Sequence, residues 1–350
     1  MIDRLDEKEG FTMDKIRIGS AGLGRLGYEH ACNMAREVTN VELAAICDVD
    51  EAQLRKVANE LGVAKTYTDF EEMCKDPDLD AIAIITPSAM HTEQIGIAMQ
   101  YGKHVFCEKP LGTTVEQCKK AEKLVEAHPE LIFQLGFNRR FDKNYVDAKR
   151  RIDAGEIGKI ILVRSYTHDC VSMIEQALKF APHSGSNFLD MTVHDIDLIR
   201  WFTGSEIKNL WGIGGVFEYD LYRELHDGDN ICALVQCDNE AMGFMFAGRA
   251  AAQGFHFETE IIGTKATLRI GSVSTDTQLE VLDGHGYCRP GYQDFVSRWH
   301  ASYVAEVIGF ANCVIQNRKP EVTVYDGTAV SEAAYRCLES FKTGKMLPIR

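Results

Sequence analysis

The sequence predicts an α/β protein in two parts: a parallel sheet flanked by helices, then an α+β region with a large, mainly antiparallel open sheet. Three observations support this prediction. Strand and helix patterns alternate through the first third of the chain, as in βαβ units. After about Gly136 the pattern changes to longer strands separated by turn signals. The length of 350 residues also exceeds what a single hydrophobic core usually organises.

The first strand is predicted where apolar residues alternate between Ile16 and Ala21, and it runs into a glycine-rich turn. The turn comprises Gly22, Leu23, Gly24, Arg25, Leu26 and Gly27. In such a turn the first glycine permits a tight bend, the second lets the backbone approach a pyrophosphate, and the third lets helix and strand pack closely. An amphipathic helix follows from about Tyr28 to Arg36, and its N-terminal N–H groups favour phosphate. The segment predicts a Rossmann domain that binds a dinucleotide; the alternative is a purely structural glycine turn.

The second predicted strand, 42–47, ends in Asp48, which lies 21 residues past Gly27. A carboxylate at this place accepts hydrogen bonds from the ribose 2′-hydroxyl and repels a 2′-phosphate. The sequence therefore favours NAD over NADP. Arg25 would partly offset this preference if its side chain met the phosphate.

Three further strands complete the first predicted sheet. They are expected at 81–85, 104–107 and 131–136, with helices at about 91–101 and 114–127. Ligands of open α/β sheets collect beyond the carboxyl ends of the strands. Thr86 and Pro87 follow one of these strand ends, and Glu108 and Lys109 lie at the end of the next. We therefore expect these four residues at the ligand-binding edge of the sheet.

Lys109 is the candidate catalytic residue at this edge. An ammonium group held there would bind a substrate hydroxyl and stabilise developing alkoxide charge. Glu108 would fix the direction of the lysine, and Pro110 permits a cis peptide bond that would turn the lysine into the cleft. The alternative is a solvated lysine in a surface loop.

Beyond Gly136 the sequence predicts the elements of an α+β domain. Helices are expected at about 143–154, up to Trp201, at 295–316 and at 326–341, with one strand at 159–168 and four or more between Ile207 and Val281. His168 and Asp169 end the first of these strands, which we expect to face the cleft. Both are therefore candidates for binding substrate hydroxyls.

The strand pattern over 243–251 bears on assembly. Phe244 and Phe246 point to one face of this strand, while Met245 and Ala247 point to the other. Apolar side chains on both faces of a sheet favour sheet-to-sheet oligomerisation. We divide the chain into three parts: a tail (1–12), an NAD-binding Rossmann domain (13–135), and a substrate-binding and oligomerisation domain (136–350) whose last helices pack back towards the first domain.

Asp190 and His194 stand four residues apart in FLDMTVHDIDLIRW, where an apolar run becomes a helical pattern. At helical spacing the two side chains share one face and can converge on one ligand. A nearby carboxylate can orient an imidazole or raise its proton affinity, and that combination suits removal of a proton from an alcohol. The alternative is a pair of surface residues. The dinucleotide signature in the same chain favours a catalytic role for the pair.

Composition and charge limit the partners and the compartment. The net charge of −14 argues against nucleic-acid and anionic-membrane partners, because no basic stripe is available to neutralise phosphates. No apolar run reaches the roughly 20 residues that span a bilayer, and the acidic N-terminus lacks the apolar core of a signal peptide. Eleven cysteines without a CxxC pair resemble neither a disulfide framework nor a zinc site. We expect no metal and a reducing cytoplasm.

Six segments together show a resemblance to a known family. They are GLGRLG, the strand end at Asp48, TPSAMHTE, GKHVFCEKPLG, LGFNRRFDKNY and FLDMTVHDIDLIRW. With these segments the chain resembles the glucose-fructose oxidoreductase / inositol dehydrogenase / rhizopine-catabolism (Gfo/Idh/MocA) family. The combination of GFNRRFD with FLDMTVHD is narrower and is similar to inositol 2-dehydrogenases. The likeness covers residues 16–204 and extends through the downstream strands to the C-terminal helix.

The resemblance implies roles for individual residues. Lys109, Asp190 and His194 would form the catalytic group, with His194 as the base that removes the hydroxyl proton. Asp190 would orient His194 or hold a substrate hydroxyl, and Lys109 would bind the reacting oxygen. Asn138 and Arg139 match positions that line the substrate pocket.

Two further positions match the family pattern, and three places depart from it. His91 matches a position near the nicotinamide ribose, although it could instead cap its helix, and Tyr303 matches a position on the C-terminal helix that donates to substrate. The chain departs from the family pattern at Gly185-Ser186, at Phe295 and over 172–183, a stretch with no clear counterpart. Such loops shape substrate choice.

By the same resemblance we expect an NAD-dependent enzyme that oxidises a secondary hydroxyl of a cyclic polyol, myo- or scyllo-inositol, to a ketone. The open sheet implies a dimer or a tetramer. Three alternatives remain: a dehydrogenase of a sugar or sugar derivative, a glycoside hydrolase with tightly held NAD, and a dinucleotide-binding regulator without turnover.

Overall fold

The computed structural model describes residues 15–271, 280–284 and 286–349, so the tail expected at 1–12 lies outside the described residues. Two large sheets organise the chain. The first has six parallel strands in the order 3-2-1-4-5-6, and the second has seven strands of mixed direction. The predicted fold class, a Rossmann sheet followed by an α+β region, is confirmed. Among the described residues, no helix is both long and apolar enough to cross a membrane.

The first sheet and its helices follow the predicted alternation. Its strands are β1 Ile16–Ala21, β2 Val41–Cys47, β3 Lys65–Tyr67, β4 Ala81–Ile84, β5 His104–Glu108 and β6 Phe133–Gly136. Its helices are α1 Arg25–Arg36, α2 Glu51–Leu61, α3 Phe70–Cys74, α4 His91–Gln100 and α5 Val115–Glu126. Strand order reverses between β1 and β4, which is where the carboxyl-end crevice of such a sheet opens. The loops after β1, β4 and β5 therefore meet at one edge.

The second sheet runs in the order β12-β11-β7-β10-β9-β8-β15, with β7 and β10 parallel and the other neighbours antiparallel. Its strands are β7 Ile160–Cys170, β8 Ile207–Gly215, β9 Asn230–Cys237, β10 Met242–Ala251, β11 His256–Gly263, β12 Thr267–Ile270 and β15 Leu347–Pro348. A separate pair is formed by β13 Val281–Asp283 and β14 Gly286–Cys288. The helices are α6 Lys143–Asp153, α7 Ile174–Phe180, α8 Asn187–Asp190, α9 Val193–Thr203, α10 Leu221–Glu224, α11 Phe295–Ile315 and α12 Val324–Thr343.

Helix α11 joins the two parts of the molecule. Val307 and Phe310 on this helix are buried in the same apolar cluster as Ile18 of β1. Earlier along α11, Trp299 and Tyr303 are buried in the other large cluster. The packing of α11 against the first sheet therefore carries Tyr303 to the carboxyl-end edge.

The segment around Asp190 differs from the sequence prediction. The structure divides the expected single helix into α8, which ends at Asp190, and α9, which begins at Val193. At the break the Thr192 hydroxyl donates to the Phe188 carbonyl oxygen over 2.6 Å. Asp190 and His194 therefore lie on two different helices, and their relative placement comes from tertiary packing rather than from helical spacing.

Candidate active site

The glycine-rich turn has the geometry that its residues predicted. Gly22 adopts φ +87°, and a Cβ there would lie 2.5 Å from the Ile85 carbonyl oxygen. A Cβ on Gly27 would lie 2.0 Å from the carbonyl oxygen of Gly22, whereas one on Gly24 would meet nothing within 4 Å. Helix α1 begins directly after Gly24 without a side-chain cap and without an acidic residue in its first turn. Its N–H groups and the open space above Gly24 fit a dinucleotide pyrophosphate.

These contacts predict opposite outcomes for two alanine substitutions. Gly27→Ala should lower the melting temperature by about 5 °C or more, because the new methyl group collides with main chain. Gly24→Ala should leave the melting temperature within about 2 °C of wild type and weaken NAD binding by about tenfold or more, since the methyl group fills the pyrophosphate space. Circular dichroism melts and a fluorescence titration with NAD check both. Equal melting temperatures for the two variants would contradict the assignment.

Asp48 lies at the end of β2 beside the same turn. Its Oδ2 atom accepts a hydrogen bond from the Leu23 N–H over 2.6 Å, and its Oδ1 atom accepts one from the Asp50 N–H over 2.9 Å. The groove above it has a volume of about 400 Å³ and is lined by Leu23, Gly24, Arg25, Tyr28, Asp48, Asp50, Gln53 and Lys56. A carboxylate in this groove can still accept a ribose hydroxyl, because each oxygen has two lone pairs.

For Arg25 we considered a position next to a 2′-phosphate, but its guanidinium makes its contacts elsewhere. Its guanidinium donates to Gln176 and stands 4.7 Å from the centre of the Phe295 ring. Both contacts belong to the cavity on the other side of the turn. Arg25 and Lys56 both line the groove beside the Asp48 carboxylate, and the Arg25 guanidinium is held on the cavity side of the turn by Gln176 and Phe295.

The role of Asp48 gives a second prediction. Asp48→Asn keeps an oxygen for the Leu23 N–H but removes the negative charge. We expect the ratio of kcat/KM for NAD to that for NADP to fall by about tenfold or more, because one charge repulsion near the 2′-phosphate is lost. Asp69→Asn, a helix-capping residue outside the groove, is the matched control. An unchanged ratio would rule out the ribose role.

His91 joins the loops after β4 and β5. It is buried, and its ring nitrogens lie 2.9 Å from the Thr86 carbonyl oxygen and 2.8 Å from the Pro110 carbonyl oxygen. Burial lowers the pKa of His91. The residue does not cap α4, since no side-chain cap bond is present. A neutral imidazole carries one N–H group, so His91 donates to one of these carbonyl oxygens and only contacts the other. His91 thereby links the loops that carry Thr86 and Pro110, and its place near the nicotinamide ribose stays a prediction.

Glu108 does not contact the Lys109 ammonium in the way that we expected. The Glu108 carboxylate is buried, and it accepts a hydrogen bond from the main-chain N–H of Lys109 over 2.9 Å. It therefore fixes the backbone at Lys109 and not the ammonium. The Lys109–Pro110 peptide bond is cis, as the sequence allowed. The Lys109 Nζ atom donates to the Asp190 carbonyl oxygen over 3.1 Å and lies 3.6 Å from Asp190 Oδ1.

A buried cluster lies beneath this loop. The His30 Nε2 atom is 2.9 Å from Glu108 Oε1, and ligand atoms of His30, Glu108 and Glu306 lie within 4.8 Å of one another, close enough to hold a metal ion. Sequence spacing did not predict this grouping. Burial and the charge of Glu108 raise the pKa of Glu306 well above its ordinary value. Both Glu306 carboxyl oxygens and the His30 Nδ1 atom are buried without a hydrogen-bond partner among the described residues, whereas Glu108 bonds both His30 and the main chain of Lys109.

Most of the candidate substrate residues line one cavity of about 280 Å³ between the two sheets. The cavity is lined by Arg25, Leu26, Ser88, Lys109, Pro110, Asn138, Arg139, Thr167, Asp169, Met173, Gln176, Ala177, Phe180, Asp190, Met191, His194, Arg249, Phe255, Phe257, Phe295, Trp299 and Tyr303. Lys109, Asp190 and His194 are thus brought together from three different elements. So are Asn138, Arg139, Asp169 and Tyr303.

His168 is an exception, and its expected role in substrate binding is wrong. Successive side chains of a strand point to opposite faces. Thr167 and Asp169 of β7 face the cavity, so His168 faces the outer side of the sheet, where its ring lies 5.4 Å from that of Phe246. Thr167 is a cavity residue that was not predicted from the sequence. Strict alternation along a strand excludes two consecutive residues, such as His168 and Asp169, from the same face.

His194 is held in a form suited to accepting a proton. Its Nδ1 atom is buried without a hydrogen-bond partner among the described residues. Burial, and then the charges of Lys109 and Arg139, lower the pKa of His194 well below 6.5. The expectation that Asp190 raises the proton affinity of this imidazole is therefore wrong: the Asp190 carboxylate pairs with Arg249 and Lys109 instead.

Arg139 and Asn138 lie on the cavity wall with most of their polar atoms in use. The Arg139 guanidinium donates to Asp195 over 2.9 Å and to Thr167 over 2.7 Å, so its charge is balanced by a buried carboxylate. Asn138 donates to the Ser302 hydroxyl over 3.2 Å. Tyr303 is buried beside them, and burial together with Glu108 and Glu306 raises its pKa well above its ordinary value. Its phenol therefore remains a hydrogen-bond donor at neutral pH.

The stretch 172–183, which had no clear counterpart, contributes the outer wall of the cavity. Helix α7 and the residue before it place Met173, Gln176 and Phe180 against the space. Gln176 accepts the hydrogen bond from Arg25 of the glycine-rich turn. This segment therefore connects the cofactor edge to the substrate cavity.

Comparisons with known proteins agree with this geometry. Residues 16–137 match the oxidoreductase family GFO_IDH_MocA with an NAD-binding Rossmann fold, and residues 145–269 match the GFO/IDH/MocA C-terminal domain. The chain is 36% identical over 330 residues to the scyllo-inositol 2-dehydrogenase (NAD(+)) of Bacillus subtilis (strain 168), which covers 94% of this chain and 95% of the relative. It is 32% identical over 342 residues to the myo-inositol 2-dehydrogenase of Thermotoga maritima, covering 95% and 98% respectively.

Solved structures give the same result. The scyllo-inositol dehydrogenase from Lactobacillus casei, with bound NAD(H) and scyllo-inositol, has a TM-score of 0.92 at 40% identity and covers 96% of this chain and 99% of that one. The myo-inositol 2-dehydrogenase from Lactobacillus plantarum has a TM-score of 0.93 at 37% identity, with 96% and 100% covered. The expected family and the expected cofactor are both confirmed. The chain belongs to the Gfo/Idh/MocA family and is an NAD-dependent oxidoreductase.

Proposed function

We propose that this protein oxidises a secondary hydroxyl of scyllo- or myo-inositol to the ketone, with NAD as the hydride acceptor. The observation that carries the proposal is the meeting of Lys109, Asp190 and His194 on one cavity beside the glycine-rich turn. The cavity volume of about 280 Å³ lies at the lower end of the roughly 300–1,000 Å³ typical of ligand pockets. A cavity of this size can hold one small ring.

The proposed mechanism assigns one task to each of the three residues. The neutral imidazole of His194 takes the proton of the substrate hydroxyl, which its lowered pKa permits at neutral and mildly acidic pH. The Lys109 ammonium donates a hydrogen bond to the same oxygen and stabilises its developing negative charge. Asp190 holds Lys109 in this direction and accepts a neighbouring hydroxyl. NAD supplies the acceptor for the hydride that leaves the oxidised carbon.

The composition of the cavity wall supports a neutral polyol over an apolar or strongly anionic substrate. Lys109 and Arg249 face Asp169 and Asp190, and Arg139 is balanced by Asp195. Both hydrogen-bond donors and hydrogen-bond acceptors therefore surround the cavity, as a ring with several hydroxyl groups requires. The relatives named above as scyllo- and myo-inositol dehydrogenases support inositol in particular.

A screen of NADH formation at 340 nm tests the proposal, with inositol isomers, pyranoses and sugar derivatives as substrates and with NAD and NADP as cofactors. We expect the highest kcat/KM with scyllo- or myo-inositol and NAD. Preference for a pyranose or an amino sugar would make the protein a sugar dehydrogenase. Release of sugar from a glycoside without net NADH would make it a hydrolase, and binding of NAD without any turnover would make it a regulator.

We also propose a homo-oligomer, a dimer or tetramer, built on the outer face of the second sheet. Trp211, Ile213 and Leu234 are exposed there, next to Phe244 and Phe246. Contiguous apolar surface of this kind favours contact with a second copy of the sheet. Light scattering after size-exclusion chromatography measures the mass; a monomer at micromolar concentration would contradict the proposal.

The domain division and the compartment remain proposals of the same kind. We assign 13–135 to NAD binding and 136–350 to substrate binding and assembly, with α11 packed against the first sheet in support. A reducing cytoplasm is consistent with the ten cysteines whose side chains the structure describes, all of which are free thiols.

A further inference from the structure

Arg249 is a cavity residue that sequence reasoning did not single out. It lies near the end of β10, within the otherwise small and apolar segment GFMFAGRAA, and it is buried. A buried arginine needs partners for a charge and for five N–H groups. The contacts it makes decide what it does.

The guanidinium of Arg249 joins the two carboxylates of the cavity. Its Nη1 atom donates to Asp169 Oδ2 over 2.7 Å, and its Nη2 atom donates to Asp190 Oδ2. Nε and Nη2 also donate to the Asn187 side-chain oxygen over 3.1 and 2.8 Å. Asn187 is itself oriented, because its amide nitrogen donates to the Gly228 carbonyl oxygen over 2.7 Å. Asn187 therefore holds the Arg249 guanidinium in a fixed orientation.

This arrangement leaves the other oxygen of each carboxylate without an arginine partner. Asp169 and Asp190 both line the cavity, and Asp190 Oδ1 is 3.6 Å from the Lys109 Nζ atom. Two carboxylates bridged by one planar guanidinium are held side by side. Without the bridge, two adjacent carboxylates repel each other and tend to share a proton.

We propose that Arg249 is a positioning residue that holds Asp169 and Asp190 as a paired acceptor for two hydroxyl groups of one substrate ring. The inference rests on the proposed function and names the feature of the substrate that this wall of the cavity recognises. Loss of the bridge should weaken polyol binding more than NAD binding.

The charges around Asp190 give the inference a pH signature. Arg249, Lys109, Asp169, Arg25 and the imidazole of His194 surround this carboxylate. Burial would raise the pKa of Asp190, but Arg249 and Lys109 bring it below its ordinary value. Removing Arg249 takes away the largest of these stabilising charges, so the carboxylate should protonate at higher pH. Its protonation should then add a second ionisation to the acid limb of kcat/KM that His194 sets in the wild type, and the limb should move upward.

The test compares Arg249→Gln and Arg249→Lys with wild type, using Arg200→Gln as the matched control. Arg200 is likewise buried and joins two carboxylates, Glu206 and Asp326, but it does not line the cavity. We expect Arg249→Gln to raise KM for the polyol by about tenfold to a hundredfold, with the KM for NAD changed less than about threefold. Arg249→Lys should recover only part of this loss, because an ammonium cannot span both carboxylates and Asn187. Arg200→Gln should lower the melting temperature without moving the pH profile.

Two further measurements make every outcome decisive. Guanidinium ion at millimolar concentration should partly restore polyol oxidation in Arg249→Ala, which a purely structural role for Arg249 would not allow. Calorimetric titration of the NAD complexes with scyllo-inositol measures binding without turnover and, with melting curves, identifies a variant that fails to fold. A wild type that binds scyllo-inositol but does not oxidise it refutes the proposed function alone. Wild-type-like KM and pH profile in Arg249→Gln overturn the inference alone, and a wild type that binds no polyol overturns both.

Discussion

Replacing Lys109 with methionine should lower kcat for polyol oxidation by about a hundredfold to a thousandfold, the usual cost of removing one donor from a developing oxyanion. The ammonium is the group that the Glu108-supported loop delivers into the cavity, 3.1 Å from the Asp190 carbonyl oxygen. Methionine keeps the length and apolar stem of the side chain but donates no hydrogen bond. The loss should therefore appear in kcat measured by NADH absorbance with saturating polyol and NAD.

The control for this variant is Lys119→Met. Lys119 is exposed on α5 and pairs with Glu332 at 3.4 Å, outside the cavity. It should retain wild-type turnover. Fluorescence titration with NAD should show that Lys109→Met still binds the cofactor within about tenfold of wild type, since one positioning contact at most is lost. If Lys109→Met oxidises the polyol at a near-normal rate, the assigned role of the lysine is wrong.

Replacing His194 with alanine should lower kcat/KM by about a hundredfold or more, because general-base catalysis contributes on that order. The effect should shrink as pH rises towards 10, where hydroxide in solution replaces part of the missing base. His128→Ala, which changes a half-buried histidine just after α5 and outside the cavity, is the control. A pH-independent loss smaller than about fivefold would be incompatible with a proton-accepting imidazole.

The direction of the His194 pKa shift predicts the wild-type pH profile. Only the neutral imidazole accepts a proton, and its pKa in the folded protein lies well below 6.5 because of burial, Lys109 and Arg139. The acid limb of kcat/KM should consequently lie below pH 6.5. An acid limb at pH 7 or above would show that another group, or a histidine in a different environment, controls the reaction.

Residues at strand ends were predictable because two periodicities and one topological rule fix them. Alternating apolar residues marked β1 and β2, and ligands of such sheets collect at the carboxyl ends, which located Asp48 and Lys109. The glycine-rich turn was predictable for the same reason: Gly22 and Gly27 answer steric demands of the turn itself, and Gly24 leaves open the space for a pyrophosphate. These constraints are local, so a single sequence contains them.

Contacts made across the fold were not predictable in this way. The partner of Asp190 is Arg249, 59 residues further along the chain, and nothing in the spacing of FLDMTVHD indicates it. The side chain of Arg25 crosses from the cofactor turn to Gln176, 151 residues away. The error at His168 was of another kind, since the strict alternation of a strand excluded two consecutive cavity residues from the start.

A crystal structure of the protein with NAD and scyllo-inositol tests the central claim most directly. We expect one hydroxyl oxygen of the polyol within about 3.2 Å of both the Lys109 Nζ atom and a nitrogen of the His194 ring, with the attached carbon facing the nicotinamide. A polyol whose oxygens all lie beyond hydrogen-bonding distance of either Lys109 or His194 would contradict it.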